Sequence, residues 1–306
     1  MTATITSLKT TAGGAKPMTS ARYSSTLRLR RLSSIIRERR EAAGLTASEV
    51  SKMLGWSPGR LNNWELNKWS RPDVDLIARL LDVYGVTDPG EREKILTIAR
   101  ECRTPGWWQA HSKEITPEYS TYIGLEAGAS AVCIADLVVF PGLLQTEDYA
   151  RAIILGGPAQ ISTEQIERHL AVRMRRQKLL TRAEDPLRAW TVLDEAALRR
   201  QIGGPKVMRD QLDHICQLSE LPNVTVQVVP FDRGAHPATA NAFVILQFPE
   251  EDGPDAVYSE TLSGELFTEI PAAVRDYHVA FRALQADAPD PRTSIDFIAS
   301  VRDGRA

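Results

Sequence analysis

The stretch Trp56-Ser57-Pro58-Gly59-Arg60-Leu61-Asn62-Asn63-Trp64 sets a guanidinium and two carboxamides side by side on what reads as one short helix. Arginine can donate two parallel hydrogen bonds to guanine O6 and N7. Asparagine can exchange a pair with adenine N6 and N7, each good match discriminating by about 1–3 kcal/mol. Asparagine is a poor residue for a helix interior, so two in succession need a reason beyond helix stability. Leu61 and Trp64 are spaced to face a core, which turns Gly59, Arg60, Asn62 and Asn63 outward or sideways. A merely solvated helix can carry the same polar residues, but contact with base edges or phosphates accounts better for the asparagine pair.

The elements that must position this helix are legible from their caps. Leu29, Leu32, Ile35, Ile36 and Ala43 recur at three- and four-residue intervals and predict an amphipathic helix stopped by Gly44. Thr46 and Glu49 then form a capping box, with Leu45 able to staple onto Val50, and Gly55 ends that second helix. Ser57 as cap and Pro58 at the first helical position open the third, with Trp56 able to staple onto Leu61. Two short helices joined by a tight, glycine-containing turn are the geometry that lays the second in a DNA major groove. Ser70-Arg71-Pro72-Asp73 and Asp88-Pro89-Gly90-Glu91 cap two more helices, completing a five-helix domain over residues 28–104. Lys68 and Arg71 follow the third helix, where basic side chains reach a phosphate backbone. Glu65 is expected to hold this loop or to pair with an arginine of the first helix.

Charge is unevenly distributed. Residues 1–60 hold eleven Lys or Arg against three acids, an excess of eight, in a chain whose net charge is −2, so the remainder stands at −10. A basic head on an acidic body suits a polyanion-binding module joined to a regulatory domain. Residues 1–27 are polar, contain Gly13-Gly14 and Pro17, and are expected to form a disordered arm.

RREAAGLTASEVSKMLGWSPGRLNNWE, ending at Glu65, resembles the phage-repressor-type (XRE-family) helix-turn-helix, and the resemblance covers about residues 29–85. It implies a lambda-repressor-like fold, base contacts from Pro58, Gly59, Arg60 and Asn63, and a phosphate contact from Thr46. Ala47 stands where that family usually has glutamine, and Pro58 and Gly59 have no side-chain donors, so the reading falls to Arg60, Asn62 and Asn63. With Ser57, Lys68 and Arg71 these are the expected DNA-binding residues. The expected partner is double-stranded DNA with a pseudo-palindromic operator, bound by a homodimer.

Past Thr104-Pro105-Gly106 a second domain is expected over 105–288, with a tail at 289–306. Trp107, Trp108, Tyr119, Tyr122 and Glu126 are candidates for a ligand or partner surface, although clustered aromatics are more often core. A short β-like run is read at 136–140 before the Pro141-Gly142 turn. A helix at about 163–181 carries Arg168, Arg173, Arg175 and Arg176, read as a solvated face. Strands at 189–193, 224–229, 242–248 and 256–260, read as mostly hairpin-linked, predict an α+β domain with a small, mostly antiparallel sheet. PGLLQTEDYARA, RMRRQKLL and VLDEAALRR resemble the DUF5753 domain that accompanies such heads in actinobacterial regulators, over about 106–285. That resemblance implies a transcription factor, often with a small DUF397-type partner protein.

Other classes find less support. The five histidines are dispersed, without the spacing of a metal site, and neither a phosphate-cradling loop nor a nucleophile turn occurs, so no cofactor, no metal and no catalysis are expected. Cys102, Cys133 and Cys216 have no paired spacing and read as free thiols. No long apolar run or signal peptide is seen, so a cytoplasmic, nucleoid-associated protein that does not enter a membrane is expected. The alternatives are a DNA-tethered enzyme using the C-terminal domain, or an antitoxin-like protein-interaction adaptor.

Overall fold

The computed structural model describes residues 24–305 apart from 58, 70, 112–114, 158–160 and 262–263. Five helices make the head: α1 (Ser25–Ala42), α2 (Ala47–Leu54), α3 (Arg60–Glu65), α4 (Val74–Val83) and α5 (Pro89–Glu101). The caps set most of the starts. Thr46 Oγ1 accepts from the Glu49 N–H while the Glu49 carboxylate accepts from the Thr46 N–H, closing the capping box of α2. Asp73 and Asp88 cap α4 and α5. Leu32, Ile36, Val50, Leu61, Ile77 and Leu80 are fully buried between these helices.

The start of α3 departs from expectation. It begins at Arg60 without a side-chain cap, because the Arg60 N–H donates to Ser57 O at 3.2 Å in a turn through Gly59. Gly59 sits at φ 83°, a left-handed conformation that a side chain would strain. Ser57 is exposed and does not cap the helix; Pro58 and Ser70 lie outside the described residues.

Helix α1 joins the two halves of the chain. Its later turns pack in the head, but Leu27 is 0% exposed within the core of the C-terminal body. Its neighbour there is α6 (Pro117–Gly128), whose glycines permit the approach. A Cβ on Gly124 would overlap Thr26, and one on Gly128 would stand 2.5 Å from Leu27 Cδ2. The Ser24 hydroxyl donates to Gly124 O. Residues 25–27, expected in a disordered arm, are therefore helical and packed, because they bury apolar surface against another domain; residues 1–23 lie outside the described residues.

In the body, β1 (Ala131–Asp136), β2 (Arg188–Asp194), β3 (Val224–Val229), β4 (Phe243–Gln247), β5 (Ala256–Thr261) and β6 (Gly264–Thr268) form one sheet in the order β3-β2-β1-β4-β5-β6. The sheet is mixed rather than mostly antiparallel. β1 runs parallel to β2 and β2 to β3, while β1–β4, β4–β5 and β5–β6 are antiparallel. Helices α7 (Glu147–Leu155) and α8 (Thr163–Gln177) separate β1 from β2, and α9 (Glu195–Arg199) and α10 (Pro205–Leu218) separate β2 from β3. Such crossovers return a strand in the same direction, where a hairpin reverses it. The β-like run expected at 136–140 is displaced: β1 ends at Asp136, its alanines having given a weak strand signal.

Ile134, Val244 and Tyr258 align across β1, β4 and β5 on one face, and Ala135, Ile245 and Val257 lie on the other, beneath α11 (Pro271–Asp287). The segment expected as a tail forms α12 (Pro291–Arg302), with Ile298 fully buried and Ser294 Oγ accepting from the Val228 N–H at 3.2 Å. Its apolar positions cover α10 and β3, which would otherwise face water.

Candidate functional site

Asn62 and Asn63 stand exposed side by side on α3, while Leu61 and Trp64 are buried beneath them. Three indoles form the base of this helix. Trp64 stacks on Trp69 with ring centroids 4.4 Å apart, and Trp56 tilts onto Trp64 at 4.9 Å. The Trp69 indole N–H donates to Ser33 Oγ at 2.8 Å, tying the loop after α3 to α1. Arg40 of α1 donates to both oxygens of Glu65, at 2.6 and 2.8 Å, and to Leu45 O at 2.7 Å. Glu65 thus pairs with an arginine of the first helix, and a planar two-bond clamp fixes the end of α3.

Arg60 is half-buried, with its guanidinium 4.8 Å from the Trp56 ring and 5.3 Å from the Trp64 ring. Stacking of this kind holds the side chain in one direction while its N–H groups stay available at the ring edge. Ser57, Gly59, Lys68 and Arg71 are exposed around α3, and Thr46 is exposed at the start of α2. The Thr46 hydroxyl also donates to Glu49 at 2.7 Å, so a phosphate contact there would compete with the capping box.

The basic excess of the head is largely engaged within the protein. Arg30 pairs with Glu269 at 2.9 Å and Arg31 with Asp252 at 3.1 Å, both across to the body, and Arg30 also lies over the Phe248 ring and donates to Pro254 O. Burial lowers the pKa of Arg30, with Glu269 opposing that effect. Arg28, Arg37, Arg39 and Arg40 pair with Glu101, Glu41, Glu91 and Glu65. Lys52, Lys68 and Arg71 have no ion-pair partner among the described residues and are the cations left exposed near α3. Charge counting over residues 1–60 therefore overstated what faces solvent.

In the body, the five candidate residues divide. Trp108 is core, and Trp107 stacks under Arg175 at 4.6 Å. Tyr119 and Tyr122 line a cavity of about 190 Å³. Glu126 lies behind it, fully buried, accepting from Arg176 Nε and Nη2 at 2.7 Å each and from the Tyr122 hydroxyl at 2.7 Å. Arg176 also donates to the Tyr119 hydroxyl. Burial opposes the charge on Arg176, yet Glu126 and the tyrosines outweigh it and hold its pKa above the ordinary value. Burial also raises the Tyr122 hydroxyl, and Tyr122 stacks on Tyr258 at 4.2 Å. Asp136 also lines the cavity, and burial pushes its pKa up to about 6, with Glu260 adding to the effect against hydrogen bonds from backbone N–H groups.

A family model described as a domain of unknown function (DUF5753) matches residues 119–300, and one described as a helix-turn-helix domain matches residues 31–95. The chain belongs to the DUF5753 family. The helix-turn-helix domain marks this DUF5753 protein as a DNA-binding regulator. Neither a curated protein nor a solved structure matches it. No helix among the described residues is long and apolar enough to cross a membrane. None of their His, Cys, Asp and Glu side chains gather in threes that could hold a metal ion.

Two arginines of this DUF5753 domain correct the expected solvated face of α8. Arg176 is buried against Glu126, and Arg173 reaches the cavity with Gln145 as its hydrogen-bond partner at 2.8 Å. The signal was present in the periodicity. At 100° per residue, positions 173 and 176 fall within the arc between Leu170 and Val172, both buried. Asp136 was missed as a site residue because the strand it terminates was displaced. The cavity lies at the carboxyl end of β1, which has a parallel neighbour on one side and an antiparallel one on the other. Ligand crevices in α/β sheets form at the carboxyl ends of strands where connections diverge.

Proposed function

We propose that this protein is a homodimeric, sequence-specific transcriptional regulator that reads a pseudo-palindromic operator with α3 of each copy and performs no catalysis of its own. Two such helices enter successive major grooves about 34 Å apart. The observation that carries the reading is the outward pair Asn62 and Asn63 above a fixed indole base, with Arg60 stacked beside them. Exposed Lys68 and Arg71 are suited to phosphate contacts that set the register. The open edge strand β6 leaves Leu266 and Phe267 exposed, with Ile270 close behind, which supports self-association through the body. The DUF5753 domain is the modulating half, acting through a small DUF397-type partner protein or a ligand.

The test is Asn63→Ala on the preferred operator and on scrambled DNA of the same length. The expected loss is about 1–3 kcal/mol on the operator, with little change on scrambled DNA. Equal losses on both would remove Asn63 from base reading. Light scattering of the full chain, with and without operator, checks the dimer.

A further inference from the structure

The cavity at the end of β1 holds charges of both signs that do not pair with each other. Asp136, half-buried, and Glu260, exposed, both line it, and Glu260 accepts from the Tyr258 hydroxyl at 2.8 Å. Arg173 enters from α8 and donates to Gln145, but no carboxylate lies within ion-pair distance of it among the described residues. Arg176 is different, since Glu126 and two tyrosine hydroxyls occupy its donors. The two guanidiniums meet at Gly142: a Cβ there would stand 3.4 Å from Arg176 Nη1 and 3.9 Å from Arg173 Nε. The acids form the other group, close enough for Glu260 to affect the titration of Asp136. Ile134, Val244 and Tyr122 also line the cavity.

Arg173 and Asp136 are half-buried; such charges are costly without a counter-ion, and a ligand that supplies both complements removes that cost at each end. A lone anion would satisfy Arg173 but face two carboxylates, and a lone cation would leave Arg173 unpaired. The space of about 190 Å³ has room for a small organic ligand. We propose that this cavity binds a small zwitterion of the α-amino-acid class, with Arg173 taking the carboxylate, Asp136 and Glu260 the ammonium, and the apolar wall the side chain. An arriving ammonium also favours the ionised form of Asp136, which burial otherwise opposes.

The experiment uses the full chain without DNA, so it stands or falls separately from the operator reading. Calorimetry and thermal shift are run with each of the proteinogenic L-amino acids, and with the amine lacking the carboxylate and the acid lacking the amine for each one that binds. At least one amino acid is expected to bind one per chain and raise the Tm. Its single-charge analogues are expected to bind about tenfold or more weaker, a comparison that needs no variant to fold. Arg173→Gln and Asp136→Asn are expected to weaken binding by a similar factor, whereas Arg151→Gln, outside the cavity, leaves it unchanged. The proposal is overturned if no amino acid binds, if a lone carboxylate or amine binds as well as the zwitterion, or if binding survives both cavity substitutions.

Discussion

The head and the body hold their candidate polar groups in opposite ways. Arg60, Asn62 and Asn63 belong to one six-residue helix and are presented to solvent from an apolar base. Tyr122, Asp136, Arg173, Arg176 and Glu260 come from α6, β1, α8 and β5 and meet only inside the folded body. A surface that reads another molecule from outside needs little more than local order, whereas a cavity needs the whole sheet and both its crossovers. The comparison predicts that polar substitutions in the body act mainly on stability, and those on α3 mainly on DNA.

The hardest test of that contrast is Arg176→Met, which leaves Glu126 buried without its cation. We expect a loss of about 3–5 kcal/mol in denaturant unfolding of the body, with a good part regained in Arg176→Met/Glu126→Leu. A loss below about 1 kcal/mol would mean that the pair contributes little to the body. Leu27→Ala comes next. It lies on the head's first helix by sequence but in the body's core by packing, and should cost about 2–5 kcal/mol. If the head's transition moves and the body's does not, the assignment of that turn is wrong.

Asp136→Asn should act in the opposite direction. The folded pKa is pushed up to about 6, above the usual value of about 3.9, so the protonated carboxyl favours the fold below about pH 4 and that stability is lost as pH rises through 6. The substitution is therefore expected to stabilise the protein at pH 7 by about 1–3 kcal/mol, with the gain shrinking towards pH 4. A gain that does not vary with pH would show that titration is not its source. The smallest effect expected is from Thr46→Ala, which opens the capping box of α2 at about 1 kcal/mol. Hydrogen exchange in the first turn of α2 reads it directly.

Much of the head was legible because its signals are short-range. Thr46 and Glu49 are three residues apart, Asp73 and Asp88 each precede their own helix, and Leu61 and Trp64 share one face. The start of α3 was misplaced because Ser57-Pro58 resembles a cap followed by a first turn, and nothing local shows that Gly59 adopts φ 83°. In the body, the β-branched run Val224–Val229 identified itself, but β1 did not, since Ala131, Cys133 and Ala135 give it little strand character. Without β1 the crossover through α7 and α8 had no first strand, and although helices are legible between the strands at 189–193 and 224–229, reading the four strands as mostly hairpin-linked made the sheet antiparallel. The candidate site divided in the same way: the exposure of Asn62 and Asn63 on one helix was legible from their spacing, whereas Asp136 and Arg173 are brought to one cavity only by the packing of β1 and α8. Arg28, Arg30 and Arg31 show the limit of counting charges, because their partners lie elsewhere in the fold.

Helix α1 runs 18 residues, about 27 Å, carrying Leu27 against the α6 glycines near one end and Arg40, clamped on Glu65, near the other. The head is thus mounted on the body at two places, through this helix and through the turn at Thr104-Pro105-Gly106. A rigid piece fastened at two separated points keeps a single axis of swing, as a door does between its hinges. A displacement of α6, which supplies Tyr119 and Tyr122 to the cavity lining, would therefore reach the head through the Leu27 end of α1.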